Sequence, residues 1–439
     1  MPQQPKDVSR RQFLQGVAFA AASITGLSAC SDTEEAVTQA TSRATGAAAP
    51  SATAAPSATA AATATATGTP AAGGGAPFKL GLMIPQSGTY ASLGSDMQQG
   101  FQLYLDQNGG MLGGREVEVV AAETEANPEV GLRAARRLIE EEQVAVATGI
   151  VSSAVALGVK DIFGEAGTPL IISNAGADMV NLDPTLPNLF RTSFTNRQPN
   201  FALGQWAAGE FGGMAVAGIA PDYAAGQEHL QGFIDGFGSE VVTELFPPFG
   251  TTSDYQPFLT EIQQSGAEVV FAFFAGGEAI TFVQQYTDFG LAGNLPLIGP
   301  GFLTDDGILE QQGQSAVGVR TALHYSPLLD NQVNADFDAA YRDAYGSSAT
   351  TYAMQSYDAA QLIDLSLTDG DVDTSDSAAF SEALAGVGTI PSPRGEFSLD
   401  PETHDPIQQI YLREVQEVAG GLGNVVVEDL GEFEPLPQA

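Results

Sequence analysis

The sequence predicts an α/β protein of two lobes, each a parallel sheet flanked by helices. Three observations carry that prediction. Apolar strand-like runs alternate strictly with segments of helical period from Phe78 onward. The alternation breaks at "LFRTSFTNRQPN" and restarts as a second series of similar length. About 360 residues follow Phe78, enough for two domains of ordinary size.

"FKLGLMIP" is a short apolar run closed by Pro85, as in a buried strand. After a loop, Met97, Phe101, Tyr104 and Leu105 recur at helical spacing until Gly109-Gly110 stops the helix. "EVEVVAA" alternates as a strand does, and Asn127-Pro128 supplies an N-cap and a first-turn proline for "EVGLRAARRLIEEE". "VAVATGI", "SSAVALGVKDIFGEAG" and "PLIIS" continue as strand, helix and strand. The second series reads "GMAVAGIA", a helix at His229–Phe237, "EVVTELF", a helix at Tyr255–Gln264, "EVVFAFF", a helix at Glu278–Phe289 and "LPLIG". Beyond "VGVRTALHYSPLLD" come helices at Ala335–Tyr345 and Tyr352–Leu367, then strand-like "RGEFSL" and "IQQIYLREV". Helices placed after a complete second sheet are expected to return to the first lobe, so the chain crosses between lobes several times, as a hinge requires.

Ahead of Phe78 the composition changes. Arg10-Arg11 heads an uncharged run from Gln12 to Ala29 that ends in Leu27-Ser28-Ala29-Cys30. A charged start, a short apolar stretch and a small-residue exit describe an export signal, here of twin-arginine type. The run falls short of the ~20 residues a membrane-spanning helix needs. The end resembles a lipobox, which makes Cys30, the only cysteine in the chain, the expected lipidation site. Residues 31–76 are mostly Ala, Thr, Ser, Gly and Pro, with too little apolar bulk to offset the entropy of ordering. They read as a tether reaching on the order of 40 Å.

The net charge of −37 excludes nucleic acid as a partner, since phosphate binding needs clustered Lys and Arg. One thiol allows no intrachain disulfide.

"LGLMIPQSGTYASLGSDMQQGFQLYLDQNGG" resembles the first βα unit of the type I periplasmic solute-binding proteins, in the leucine/isoleucine/valine-binding branch. "GIVSSAVALGVKDIFGEAGTPLIISNAGAD", "RTSFTNRQPN", "TALHYSPLLDN" and "SPRGEFSLDPETHDPIQQIYLREV" extend the resemblance, in the family's order, across Phe78 to Val418. It implies a three-strand hinge, with lobe 1 made of 77–193 and 326–391 and lobe 2 of 194–325 and 392–439. Hinge positions are expected near Thr192-Ser193, Ala322–His324 and Ile390–Ser392.

In open parallel sheets the ligand crevice lies beyond the carboxyl ends of the strands. Ser152 and Ser153 follow a strand and open a helix, where hydroxyls and free N–H groups suit a carboxylate. By resemblance, Ser153 is the carboxylate-holding serine, Tyr90 an aromatic cover, Ala175 and Ala177 backbone contacts, and Tyr223 an aromatic facing the cleft from lobe 2. Phe274 and Glu278 sit at a strand end, with Glu278 available to a ligand ammonium. Amino-acid binders of this family usually place an acidic group where Gly301 stands. Without a substitute such as Glu278 or Asp305, a buried ammonium would lack a partner. The ligand is then either a branched-chain or hydrophobic amino acid, or an aromatic or short-chain acid or amide without the amine.

No nucleophile elbow, Walker loop or zinc-spaced Cys/His pair is present, so no enzyme, cofactor or metal is expected. "DGDVDTSD", Asp369 to Asp376, lacks the glycine and glutamate a calcium loop requires. Two functions fit: a lipid-anchored extracytoplasmic receptor that delivers its solute to an ABC permease, or a ligand sensor of the same fold.

Overall fold

The structure is a computed structural model and describes residues 76–181, 185–368 and 372–435. The signal, the tether, Cys30 and Asp369–Asp371 lie outside the described residues.

Lobe 1 holds a six-stranded sheet. Its strands are β1 (Phe78–Ile84), β2 (Met111–Leu112), β3 (Arg115–Glu123), β4 (Val146–Gly149), β5 (Leu170–Ile172) and β6 (Leu189–Arg191). Their order is β2-β3-β1-β4-β5-β6, parallel except for the short hairpin partner β2. Lobe 2 holds β7 (Val216–Ile219), β8 (Thr243–Leu245), β9 (Val269–Ala272), β10 (Leu297–Pro300), β11 (Arg320–Leu323), β12 (Ser398–Leu399), β13 (Pro406–Val418) and β14 (Gly421–Phe433). Here β8-β7-β9-β10-β11 are parallel, and β13 closes the sheet antiparallel with β12 and β14 beside it. β4, β5, β7 and β9 are buried along their whole length, which is why they read as continuous apolar runs rather than alternating ones.

The helices are α1 (Ala91–Gln107), α2 (Pro128–Arg136), α3 (Ser153–Ala166), α4 (Arg197–Glu210), α5 (Ala224–Phe237), α6 (Gln256–Gln264), α7 (Gly276–Asp288), α8 (Leu309–Gln312), α9 (Gln332–Tyr345), α10 (Thr351–Ser366) and α11 (Ser377–Ala385). Asn127 caps α2 through its side chain, as its sequence position predicts. α9 and α10 pack on α1, and α11 packs on α10, so the late helices complete lobe 1. Sequence reading missed α4, whose Asn, Gln and Gly residues dilute its helical period, and also α11 and the long β13–β14 hairpin.

The chain crosses between lobes after β6, after β11 and before β12. Arg394 ties these passages together. Its guanidinium donates to Thr192 O, to Ser193 O at 3.1 Å and to Gln408 Oε1, and it pairs with Asp358 of α10. Both charges are buried. A second buried pair, Arg191 with Asp405 at 3.1 Å, joins β6 to the start of β13. Among the described residues, no helix is long and apolar enough to cross a membrane, and no cluster of His, Cys, Asp or Glu is arranged to hold a metal ion.

Candidate functional site

Each sheet has one switch point, where connections leave in opposite directions, and ligands bind outside the strand ends there. In lobe 1 it lies between β1 and β4; in lobe 2, between β7 and β9. The segments that follow these four strands face one another across a small cavity of about 30 Å3. From lobe 1 come Tyr90 and Leu93, then Val151 and Ser153, with Asn174, Gly176 and Tyr352 beside them. Phe194 and Asn196 enter from the first crossover. Lobe 2 supplies Tyr223, Ala225, His229, Phe273, Ala275 and Phe302. The volume is that of roughly one water, smaller than an organic solute in this conformation.

The lobe 1 wall is polar. Ser152 is the N-cap of α3, and its Oγ is buried with no hydrogen-bond partner. Ser153 Oγ accepts from Asn196 Nδ2 at 3.3 Å. That amide also donates to Glu228 Oε2 at 2.6 Å, and burial raises the Glu228 carboxyl. Asn174 Nδ2 donates to Gln355 Oε1 at 2.8 Å, and Gln355 Nε2 meets His324 Nε2 at 3.0 Å. His324 lies behind the cavity wall, and burial first, then Arg394 and Arg413, hold it well below its ordinary pKa.

The lobe 2 wall is aromatic. His229 stacks on Phe273 with centroids 3.7 Å apart, Tyr223 stacks on Phe249 at 4.4 Å, and Phe302 meets Phe194 at 4.8 Å. The lobes touch through Tyr90 and Tyr223, whose hydroxyls are 3.1 Å apart. Gly276 lets the backbones approach: its φ of +56° disfavours other residues, and a Cβ there would crowd Thr89 O. No Asp, Glu, Lys or Arg lines the cavity among the described residues.

Of the positions expected from sequence, Tyr90, Ser153 and Tyr223 line the cavity; Ser152, the N-cap of α3, is buried and does not. Phe274 does not. Side chains alternate across a strand, so Phe273 faces the cleft while Phe274 packs outward on Tyr255 and Phe282. The same one-residue offset separates Ala175 and Ala177 from Asn174 and Gly176, which do line it. Ala175 N–H donates to Ile150 O at 2.8 Å and Ala177 O accepts from Arg191 Nη2 at 2.7 Å, so both grip their own lobe. Gly301 yields its place to Phe302. Its carbonyl accepts from Arg413 at 2.8 Å, and any side chain there would collide with that guanidinium.

Glu278 lies outside the lining. Its Oε1 accepts from Gly250 N–H at 2.9 Å and its Oε2 has no partner, and burial pushes its carboxyl up to about 7. Asp305 accepts from Gly307 and Thr351 N–H groups, also away from the cavity. Neither supplies the missing acidic group. Sequence reading missed Asn174, Phe194, Asn196, His229, Phe273, Phe302 and Tyr352. One signal was available: Ala225 and His229, four apart, share a face of α5.

The profile of the family described as periplasmic binding protein matches residues 77–421. The Leu/Ile/Val-binding protein homolog 6 of Brucella melitensis is 31% identical over 351 residues, covering 78% of this chain and 88% of that one. A solute-binding protein of an ABC transporter from R. palustris, solved in complex with benzoate, is 36% identical, with a TM-score of 0.75 over 81% of this chain and 97% of that one. Another, from Rhodopseudomonas palustris HaA2 in complex with p-hydroxybenzoic acid, is 30% identical, with a TM-score of 0.75 over 82% and 98%. With two lobes, a cleft at paired switch points and these likenesses along the whole folded region, the chain belongs to the type I periplasmic binding proteins, the substrate-binding proteins of ABC transporters.

Proposed function

We propose that this protein captures an aromatic carboxylate of the benzoate class by lobe closure and delivers it to an ABC permease. In this reading it is moored outside the cytoplasmic membrane by a lipidated Cys30. The observation that carries the ligand class is the cavity wall: seven aromatic side chains and no charged one. A carboxylate finds hydrogen-bond donors at the start of α3, where the Ser153 hydroxyl lines the cavity and the first-turn N–H groups favour an anion. Flat rings suit walls formed by Tyr90, Phe273 and Phe302.

The relatives solved with benzoate and p-hydroxybenzoic acid support the same class. The Leu/Ile/Val-binding name of the Brucella relative favours an amino acid instead. An α-ammonium would meet no carboxylate in this lining, and an unpaired charge buried there costs several kcal/mol.

Ligand docks on one lobe, and the other rotates onto it about the passages at Thr192-Ser193, Ala322–His324 and Ile390–Ser392. Only contacts made in the closed form stabilise it.

Thermal shift with the purified protein tests the ligand class. Benzoate at a hundredfold excess over its Kd adds about 2.7 kcal/mol to folding stability and raises the melting temperature. Benzyl alcohol and leucine at the same concentration leave it unchanged. A shift with leucine and none with benzoate would return the reading to amino acids.

A further inference from the structure

Lobe 2 contributes six residues to the cavity, and only Tyr223 and His229 carry polar side-chain atoms. The Tyr223 hydroxyl already meets Tyr90. The imidazole of His229 is therefore the polar group that lobe 2 has left to offer.

Its protonation is fixed by its neighbours. Nδ1 faces Asn200 Nδ2, and that amide nitrogen also donates to Asn196 O at 2.6 Å. The carbonyl of Asn196 can only accept, so the nitrogen of the amide is on that side, and His229 Nδ1 must be an acceptor. The ring proton then sits on Nε2. No described group bonds Nε2, one ring face is covered by Phe273, and Nδ1 is spent. The Nε2 edge is what His229 presents to the cavity. Burial lowers the imidazole to about 3, so the ring is a neutral donor near pH 7.

We infer that His229 is the specificity-determining residue with which lobe 2 recognises an oxygen on the ligand's ring. This rests on the aromatic-acid reading and extends it. The carboxylate sits against lobe 1, and a hydroxyl on the ring accepts from His229 Nε2–H. An unsubstituted ring closes over the same donor and leaves it buried and unpaired, which a site built to hydrogen-bond penalises. Hydroxybenzoates are thus preferred over benzoate.

Calorimetry with benzoate, 3-hydroxybenzoate and 4-hydroxybenzoate tests this on the wild type, His229→Phe and His229→Gln. The wild type binds at least one hydroxybenzoate about tenfold tighter than benzoate, the size of one net hydrogen bond. His229→Phe removes the donor, so its hydroxybenzoate-to-benzoate affinity ratio falls to about one. His229→Gln restores a donor and recovers part of the preference, which separates the lost hydrogen bond from a misfolded pocket. Equal affinities in the wild type, or a preference that survives in His229→Phe, would overturn the assignment while leaving the aromatic-acid reading intact. A wild type that binds none of the three would overturn both.

Discussion

The two walls of the cleft are built by one device and finished differently. Each is the set of loops beyond a switch point of a parallel sheet, yet lobe 1 ends its strands with Ser153 and Asn174 and lobe 2 with Phe273 and Ala275. Topology therefore decides where a ligand goes, and the first residues past each strand decide what it is. In the proposed reading the polar wall orients the ligand's carboxylate, and the aromatic wall adds contact area when the lobes meet and so biases closure. The division of labour in that reading is anchoring on one side and selection on the other.

The contrast depends on both walls hanging from one rigid seam, and the largest effect comes from cutting that seam. Arg394 joins Thr192 and Ser193 to Gln408 and to Asp358, and its guanidinium lies 4.4 Å from the Phe397 ring centroid. Burial pushes the Asp358 carboxyl up to about 6 even though Arg394 opposes the shift. Arg394→Ala strands that buried carboxylate and is expected to cost about 3–5 kcal/mol, seen as a large drop in denaturation midpoint. Asp358→Asn, which keeps an acceptor for the guanidinium, should cost less. Equal losses from the two would mean that packing, not charge, holds the seam.

Tyr223 sharpens the contrast at smaller cost. Its ring stacks on Phe249 of its own lobe, and its hydroxyl meets Tyr90 of the other lobe. Tyr223→Ala is expected to weaken ligand binding about tenfold with little loss of ligand-free melting temperature, whereas Tyr223→Phe loses only the bridging hydrogen bond, about 0.5–1.5 kcal/mol. Losing as much ligand-free stability as binding would make Tyr223 a core residue rather than a closing one.

The same contrast explains what was legible in the sequence. The succession of strands and helices, the lobe count and the serine pair that opens α3 follow from local patterns: apolar runs, caps and a turn after a strand. The aromatic wall does not. Phe273 and Phe274 are identical in sequence terms, and only the strand's pleat assigns one to the cleft and the other to Tyr255 and Phe282. Gly301 looks like an empty position until the fold sets Arg413 against it, and Phe302 then takes the cavity side. His229 lies mid-helix, where its only local signal is the face it shares with Ala225, and Tyr352 arrives from a helix more than two hundred residues downstream of Tyr90.

The smallest expected effect is a dependence of closure on pH, set by a second contact between the lobes. Asp96 on α1 of lobe 1 faces Asp305, just past β10 of lobe 2, and both carboxylates crowd the same side of Gly307. Burial, then Asp305, pushes Asp96 up to about 7, while the Thr350 hydroxyl pulls the other way. Asp306, next along the chain, is likewise raised to about 7 by burial and Asp305, with Arg413 opposing. A carboxyl whose pKa is raised by folding binds its proton more tightly when folded. Its stabilising effect is complete below the unfolded value near 3.8 and falls away as pH rises to about 7, with no further change above. Melting temperature should therefore fall from about pH 4 to about pH 7 and level off above, and ligand affinity should fall a few-fold with it, because the two carboxyls meet across the lobes. Asp96→Asn is neutral at every pH, so it should match the wild type below about pH 4 and exceed it by a margin that grows up to about pH 7. Asp306, Asp178 and Glu278 titrate in the same sense, so part of the slope persists in that variant. Parallel pH profiles for the variant and the wild type would show that Asp96 does not couple the lobes, and would leave closure to the aromatic wall alone.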